Sequence, residues 1–243
     1  MWKQNTEKVA AEHSSDWLIA LPIPDMGLKL DNKGMETACG LRLGTKLCQP
    51  FKCICGAIMD STGRHGLSCT KAKGRYSRHL KVNQIIGKAL GSAHMTATLE
   101  PEGLCKNSQK QPDGVTLISW KSGKSLAWDY TCHDTLANSY LHLSSQGAGK
   151  VAEKADKDKY TKYQELKEDF IVMPVANETL GPWCPDSLEF IKEIGSRITA
   201  ANGDKRATSH LFQSIGMTIQ KGNVASISGC IPKSKTLNEL FYL

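Results

Sequence analysis

Apolar residues recur at helical spacing in several separate stretches of the chain. Over 71–93, Val82, Ile85, Ile86, Ala89, Leu90 and Ala93 fall on one stripe while Arg75, Arg78, Lys81 and Lys88 occupy other faces, which predicts a helix. A second, strongly charged helix is predicted over 149–169, with Val151, Ala155, Tyr163 and Leu166 as sparse apolar points among Lys150, Lys154, Lys157, Lys159 and Lys162. Leu188, Ile191, Ile194 and Ile198 place a third over 187–201, ended by Asn202-Gly203, and Leu211, Ile215 and Ile219 place a fourth over 204–222. A shorter helix over 35–47 is expected to end near Gly44.

Short apolar runs without that period predict strands at 94–99 and 170–176. Two more, Val115 to Trp120 and Ser125 to Cys132, flank Lys-Ser-Gly-Lys and read as a β-hairpin. Glu100-Pro-Glu-Gly and Glu178-Thr-Leu-Gly-Pro close strands, 107–111 is a polar loop, and 134–145 is irregular. The order is helix, three strands, helix, strand, two helices, which makes the fold class α/β, a central sheet covered by helices. The first 32 residues, polar and then proline-bearing around Trp17, read as a linker or docking segment, and the tail past Pro232 reads as loose.

An aspartate opens the first hairpin strand and another lies inside the second. Two carboxylates on adjacent strands suit a divalent-metal site for phosphodiester chemistry, since hard cations take oxygen ligands on rigid elements. Register decides whether they meet. A two-residue turn pairing Lys121 with Lys124 would send Asp113 and Asp129 to opposite faces under strict alternation. A three-residue turn with Gly123 at a bulge sets Val115 against Asp129 and makes the two acids diagonal neighbours, and this is the expected register.

Composition narrows the setting. Among 243 residues, 40% are hydrophobic and 23% charged, ordinary for a globular domain with a sizeable core. No apolar run approaches the roughly 18 residues of a membrane span, the polar start is unlike a secretory signal, and an intracellular protein without a membrane partner is expected. The formal charge is +7, and the window from Lys52 to Leu90 alone carries eight basic residues against Asp60, an excess that attracts a polyanion or forms a solvated face.

Nine cysteines in a reducing compartment point to metal more than to disulfides. Cys53-Ile-Cys55-Gly, followed by His65 and Cys69, can supply the ligands of a closed tetrahedral Zn²⁺ site, with Cys48 as a substitute ligand and Gly56, Gly63 and Gly66 fitting a loop folded round an ion; the alternative is buried or incidental cysteines in a loop.

Taken in order, Cys-x-Cys-Gly, Gly-Arg-His-Gly-Leu-Ser-Cys, Arg-Tyr-Ser-Arg-His, Pro-Asp-Gly-Val-Thr-Leu-Ile-x-Trp, Trp-Asp-x-Thr, Glu-Thr-Leu-Gly-Pro-Trp and Ile-Gln-Lys-Gly-Asn-Val-Ala-Ser resemble the C-terminal region of non-LTR retrotransposon reverse transcriptases. That region joins a zinc-knuckle-like motif to a restriction-like endonuclease of the PD-(D/E)XK superfamily, which nicks target DNA so that a polymerase can prime on the freed end. The resemblance spans roughly Trp17 to Ile231. It implies a restriction-endonuclease-like αβββαβ core with extra C-terminal helices and an N-terminal zinc-knuckle loop. The domains would be 1–47 as linker, 48–72 as knuckle, 73–231 as endonuclease and 232–243 as tail. No polymerase signature accompanies these motifs, so the chain reads as a detached fragment.

Residue by residue, the resemblance assigns Asp113 and Asp129 to Mg²⁺ or Mn²⁺, and Cys53, Cys55, His65 and Cys69 to Zn²⁺. Arg78 and His79 match the basic pair after the knuckle; with Arg75, Lys81 and Lys110 they are the candidate contacts to DNA or to element RNA. Two positions depart from the pattern. Gln111 stands where a basic residue precedes Pro-Asp, with Lys110 one place back. Thr131 replaces the lysine two residues after the second acid, and Lys159 and Lys162 on the following helix are the expected substitutes. Glu100 is a candidate third acid, and His79 and His133 candidate phosphate contacts; Trp120 and Trp128 are expected in packing. The implied partner is nucleic acid, the location the nucleus after synthesis in the cytoplasm, and no small-molecule cofactor is implied. Two other readings stay open: a non-catalytic zinc-dependent nucleic-acid-binding remnant, and a foldable relic without a role.

Overall fold

The computed structural model describes residues 2–105 and 110–241, and omits the side chains of 2–5, 237 and 238. The part of the 107–111 loop up to residue 109 lies outside the described residues.

A helix α4 (Gly74–Ser92) runs into a four-stranded mixed sheet of β3 (Ala97–Leu99), β4 (Gly114–Thr116), β5 (Ser125–His133) and β6 (Phe170–Glu178), in that spatial order. The first three pair antiparallel, while β5 and β6 run parallel from Ser125↔Phe170 to His133↔Glu178. Parallel neighbours need a crossover, and α6 (Lys150–Lys162) provides it after a single helical turn, α5 (Leu141–Ser144). Two long helices, α7 (Pro185–Asn202) and α8 (Ala207–Ser228), close the same face as α4.

Alternation along β5 assigns its side chains. Leu126, Trp128 and Tyr130 enter the main core with Val82, Ile86, Val175, Ile191 and Ile215, and Ala127 lies on the other face with Val115, Tyr163 and Leu166. Both faces of the sheet centre are therefore covered, as parallel pairs require. The expected elements are present with shifted ends: the charged helix stops at Lys162 and not at 169, the last long helix runs on to Ser228, and the first hairpin strand ends at Thr116. Among the described residues, no helix is long and apolar enough to cross a membrane.

The hairpin turn differs from the expected one. Lys121 pairs with Lys124, and both central residues have positive φ, Ser122 at 51° and Gly123 at 78°, the signature of a two-residue primed turn. Yet Val115 pairs with Ala127 and Gly114 with Trp128, so the first arm holds three more residues than the second between the turn and that pairing. The Thr116 side chain makes this possible. Its hydroxyl accepts the Leu126 N–H at 2.9 Å and donates to the Ile118 carbonyl at 2.8 Å, and Leu117 and Ile118 bulge out to solvent. A side chain, not the turn, resets the register and leaves Asp113 beside Asp129.

Gly114 lies flat against Trp128: a Cβ there would come within 2.1 Å of the indole ring. Gly114→Ala is expected to lower stability by about 2 kcal/mol by overpacking, with the midpoint of urea unfolding as the readout.

The first segment docks on the rest of the fold, and the tail expected to be loose is packed as well. Helix α1 (Trp2–Ala10) is held by Arg42 on α2 (Asn32–Leu43), whose guanidinium donates to Val9 O at 2.8 Å and Ser14 O at 3.0 Å. Trp17 is 1% exposed, packed with Met217 of α8. At the other end, α9 (Leu237–Leu240) and Phe241 pack on the knuckle: Gln49 N–H donates to Leu240 O at 2.8 Å and Cys48 bridges Phe241. These contacts join residues distant in sequence, and no local periodicity announces them.

Candidate functional site

Helix α6 is pinned over β5 at both ends. At its start, the buried Glu178 carboxyl group accepts the Val151 and Ala152 N–H groups at 3.2 and 3.4 Å; burial raises its pKa, against the effect of these hydrogen bonds. At its finish, Lys110 Nζ donates to the Lys162 carbonyl at 3.1 Å. The last turn thus hangs over the middle of β5, where Asp129 is 4% exposed.

Three residues of that turn converge on Asp129. Lys159 Nζ lies 2.5 Å from Oδ1, Lys162 Nζ lies 3.5 Å from Oδ2, and the Tyr163 hydroxyl hydrogen-bonds Oδ2. Spacings of three and four residues put them on one helical face. Lys162 also donates to the Tyr163 oxygen at 2.6 Å, and the Gln111 carbonyl lies 2.6 Å from the same oxygen. Burial, followed by the Asp129 hydrogen bond, raises the Tyr163 pKa and keeps the phenol protonated. The two lysines are therefore placed on one carboxylate, and Tyr163 is a member that residue types alone did not single out. Its signal in the sequence is its place four residues after Lys159.

Asp113 is held differently. Its backbone N–H bonds Trp128 O at 2.9 Å, and its Oδ2 accepts the Tyr130 N–H at 2.6 Å. His79 Nε2 sits 3.0 Å from Asp113 Oδ2 and 3.1 Å from Tyr130 O, bridging two oxygens. The hydrogen bond to Asp113, with the charges of Asp113 and Asp129, raises the His79 pKa against the opposing effect of burial. His79, expected at the nucleic acid, lies against Asp113 of the acid pair.

Other expected contacts part ways. Arg78 is 3% exposed, and its guanidinium donates to Asn223 Oδ1 at 2.6 Å, so it staples α4 to α8 and faces no phosphate. The spacing that put Arg78 among surface cations could not show that α8 covers it. Arg75 and Lys81 are exposed on α4. Lys110 is engaged by the α6 carbonyl, and the Gln111 side chain donates to Glu100 O. Glu100 stands at the rim of a cleft lined by Asp113, outside the ion pairs. Thr131 Oγ1 turns to His133 Nδ1 at 3.3 Å, and burial lowers the His133 pKa. Trp128 is core, with its Nε1 donating to Asn83 Oδ1 at 3.1 Å; Trp120 stacks beneath Arg197, 3.7 Å from ring centre to guanidinium carbon.

The second cluster is built on a two-stranded ribbon, β1 (Phe51–Lys52) with β2 (Ile58–Met59), and the short helix α3 (Arg64–Ser68). Gly56, at φ 94°, makes the tight turn that brings Cys53 and Cys55 together. Asp60 anchors the start of α3 through the Thr62 and His65 N–H groups, which directs His65 inward. The ligand atoms of Cys53, Cys55, His65 and Cys69 all lie within 4.8 Å of one another, and the Cys53–Cys69 sulfur separation is 3.7 Å. A tetrahedral ion with bonds of about 2.3 Å to sulfur sets sulfurs about 3.8 Å apart, so the cluster fits a metal ion. Cys48 is not part of it: its thiol donates to Asp60 O at 3.4 Å, and burial pushes its pKa up to about 11. Cys230, unforeseen, is fully buried in the core that supports the cluster, with its thiol pKa raised by burial and by the thiols of Cys53 and Cys69.

The geometry thus presents a carboxylate pair bracketed by cationic side chains and, apart from it, a Cys₃His cluster. Compared with models of known protein families the chain matches none, and comparison with curated proteins gives no significant match, so the function is argued from these two sites alone.

Proposed function

We propose that the chain is a metal-dependent DNA endonuclease domain that nicks one strand, similar to the restriction-like endonuclease of non-LTR retrotransposons and acting in the nucleus. The observation that carries this reading is Asp129, buried beside Asp113 and held by Lys159, Lys162 and Tyr163 from the crossover helix. The αβββαβ order of α4, β3, β4, β5, α6 and β6 around these acids supports the restriction-endonuclease-like fold.

The donor set suits a hard cation. The groups at hand are carboxylate oxygens and the Tyr130 carbonyl, and His79 Nε2 already sits between two of them, which is where a positive charge is favoured. Asp113 and Asp129 would hold Mg²⁺ or Mn²⁺, which supplies polarisation of the phosphate and acidification of water. The protein's own groups do the rest. Tyr163 fixes the Asp129 carboxylate, His79 fixes Asp113, and Lys159 and Lys162 present ammonium groups to negative charge developing on phosphate oxygens. The Cys₃His cluster would hold Zn²⁺ as a closed structural site, with no open ligand position.

A nicking assay on supercoiled plasmid tests this. Open circles should accumulate with Mg²⁺ and not with chelator; absence of cleavage, or equal cleavage by Asp113→Ala and Asp129→Ala, removes the enzyme reading. One observation favours the second reading, a non-catalytic nucleic-acid-binding module: Lys159 and Lys162 already neutralise Asp129. Nucleic-acid binding that survives both aspartate substitutions and is lost in Cys55→Ser, without nicking in any variant, would select it.

A further inference from the structure

Tyr76 is the most exposed large side chain of apolar character among the described residues, at 73%. It lies on α4 one turn before His79 and Leu80, so the three share a face directed over the edge strand β3. Between them and Leu99 a cleft of about 160 Å³ opens, with Asp113 and His79 at its inner end. Leu80 and Leu99, each 37% exposed, form its apolar walls. Glu100 stands at the rim in a left-handed conformation, φ 48°, held by its N–H on Asp113 O at 2.9 Å and by Gln111 on its carbonyl. Lys71, Lys73, Arg75 and Lys81 are exposed on the approach to and along α4.

We infer that this cleft receives one unpaired nucleobase of the bound strand, stacked on Tyr76, next to the phosphate presented to Asp113. The inference rests on the endonuclease reading and deepens it by naming the substrate class, a single-stranded or locally unpaired segment. The chemistry is that of single-strand binders, an aromatic ring for the base face beside cations for the backbone. A narrow slot with apolar sides and a carboxylate at its mouth accepts a flat ring carrying an amino group. A base inside a duplex is stacked on both faces and cannot enter without being extruded.

The test is a fluorescence titration of the full chain, zinc-loaded, with a single-stranded oligonucleotide carrying 2-aminopurine, with Ca²⁺ in place of Mg²⁺ to prevent turnover. Stacking on Tyr76 should quench the probe. Tyr76→Phe should keep the quenching and the affinity, whereas Tyr76→Ala should lose the quenching and bind about tenfold more weakly. Leu99→Glu, which puts a negative charge on an apolar wall of the slot, should behave like Tyr76→Ala. Tyr76 is exposed, so its removal leaves the fold in place, and circular dichroism verifies this. If Tyr76→Ala quenches and binds as the unsubstituted protein does, the cleft is not a base site and the endonuclease reading stands untouched. If the unsubstituted protein binds neither single- nor double-stranded oligonucleotide at low salt, both fall together.

Discussion

Replacing Lys159 and Lys162 together by alanine is expected to cut plasmid nicking on the order of a hundredfold or more and to destabilise the domain at the same time. Both effects trace to Asp129. Its carboxylate is buried, and the two ammonium groups at 2.5 and 3.5 Å are its neutralising partners. Removing them leaves a buried anion with a neutral phenol, a situation that costs about 3 kcal/mol, below the upper range for buried pairs because Lys162 is partly exposed to water. Removing charge stabilisation at a reacting phosphate costs about 10²–10³ in rate.

A third substitution isolates the effect on stability. Adding Asp129→Asn to the double lysine variant removes the stranded charge, so the urea midpoint should return most of the way to that of the unsubstituted protein. Nicking should not return. Because Asp129 is itself one of the two acids that would hold the metal, recovery of both would take Asp129 and the two lysines alike out of the reaction. A double lysine variant that keeps full nicking would take the lysines out of the reaction.

Metal removal from the Cys₃His cluster is the second large effect. The cluster shares its core with α2 and the C-terminal end of the chain: Leu41, Phe51, Met59, Leu67, Ile227, Leu240 and Phe241 pack around it. A structural zinc contributes an apparent 10–16 kcal/mol in small zinc modules, more than this small core can replace. A strong chelator, or Cys69→Ser, should release hydrogen-exchange protection over the knuckle and over the Gln49–Leu240 contact, while the paired amides of β5 and β6 stay protected. Equal protection with and without metal would mean that the hydrophobic contacts suffice and that the cluster is not a metal site.

How much of this is legible in the sequence depends on the range of the interaction. The long helices follow from apolar stripes of period near 3.6, and β6 from a short apolar run, because both patterns are local. The Cys₃His cluster is legible for the same reason. Its four side chains lie within 17 residues, on a ribbon and a short helix whose turns the glycines announce.

The acid pair is only half legible. Asp113 and Asp129 stand out as residues, and Lys159 and Lys162 as cations on the next helix, but the expected register is not the one the hairpin adopts. The turn is the two-residue kind, which under strict alternation would separate the acids. The Thr116 hydroxyl reverses that outcome by replacing ladder hydrogen bonds and letting three residues bulge. Side-chain bonds of this sort have no periodicity to detect. Arg78 and His79, adjacent in sequence, look alike there as surface groups. The helix turns them about 100° apart, so one is buried against Asn223 and the other meets Asp113.

Sequence alone therefore determined the types and order of the sheet strands and the long helices that cover them, the cysteine cluster and which two acids to look at, all of which depend on neighbours within a few turns of chain. Tertiary structure decided which cations and which phenol surround Asp129, that Arg78 is withdrawn from the surface, that the first helix packs on α2, and that the C-terminal end closes over the knuckle. Those outcomes depend on contacts between residues tens to nearly two hundred positions apart, fixed by how helices α4, α6 and α8 pack on one sheet.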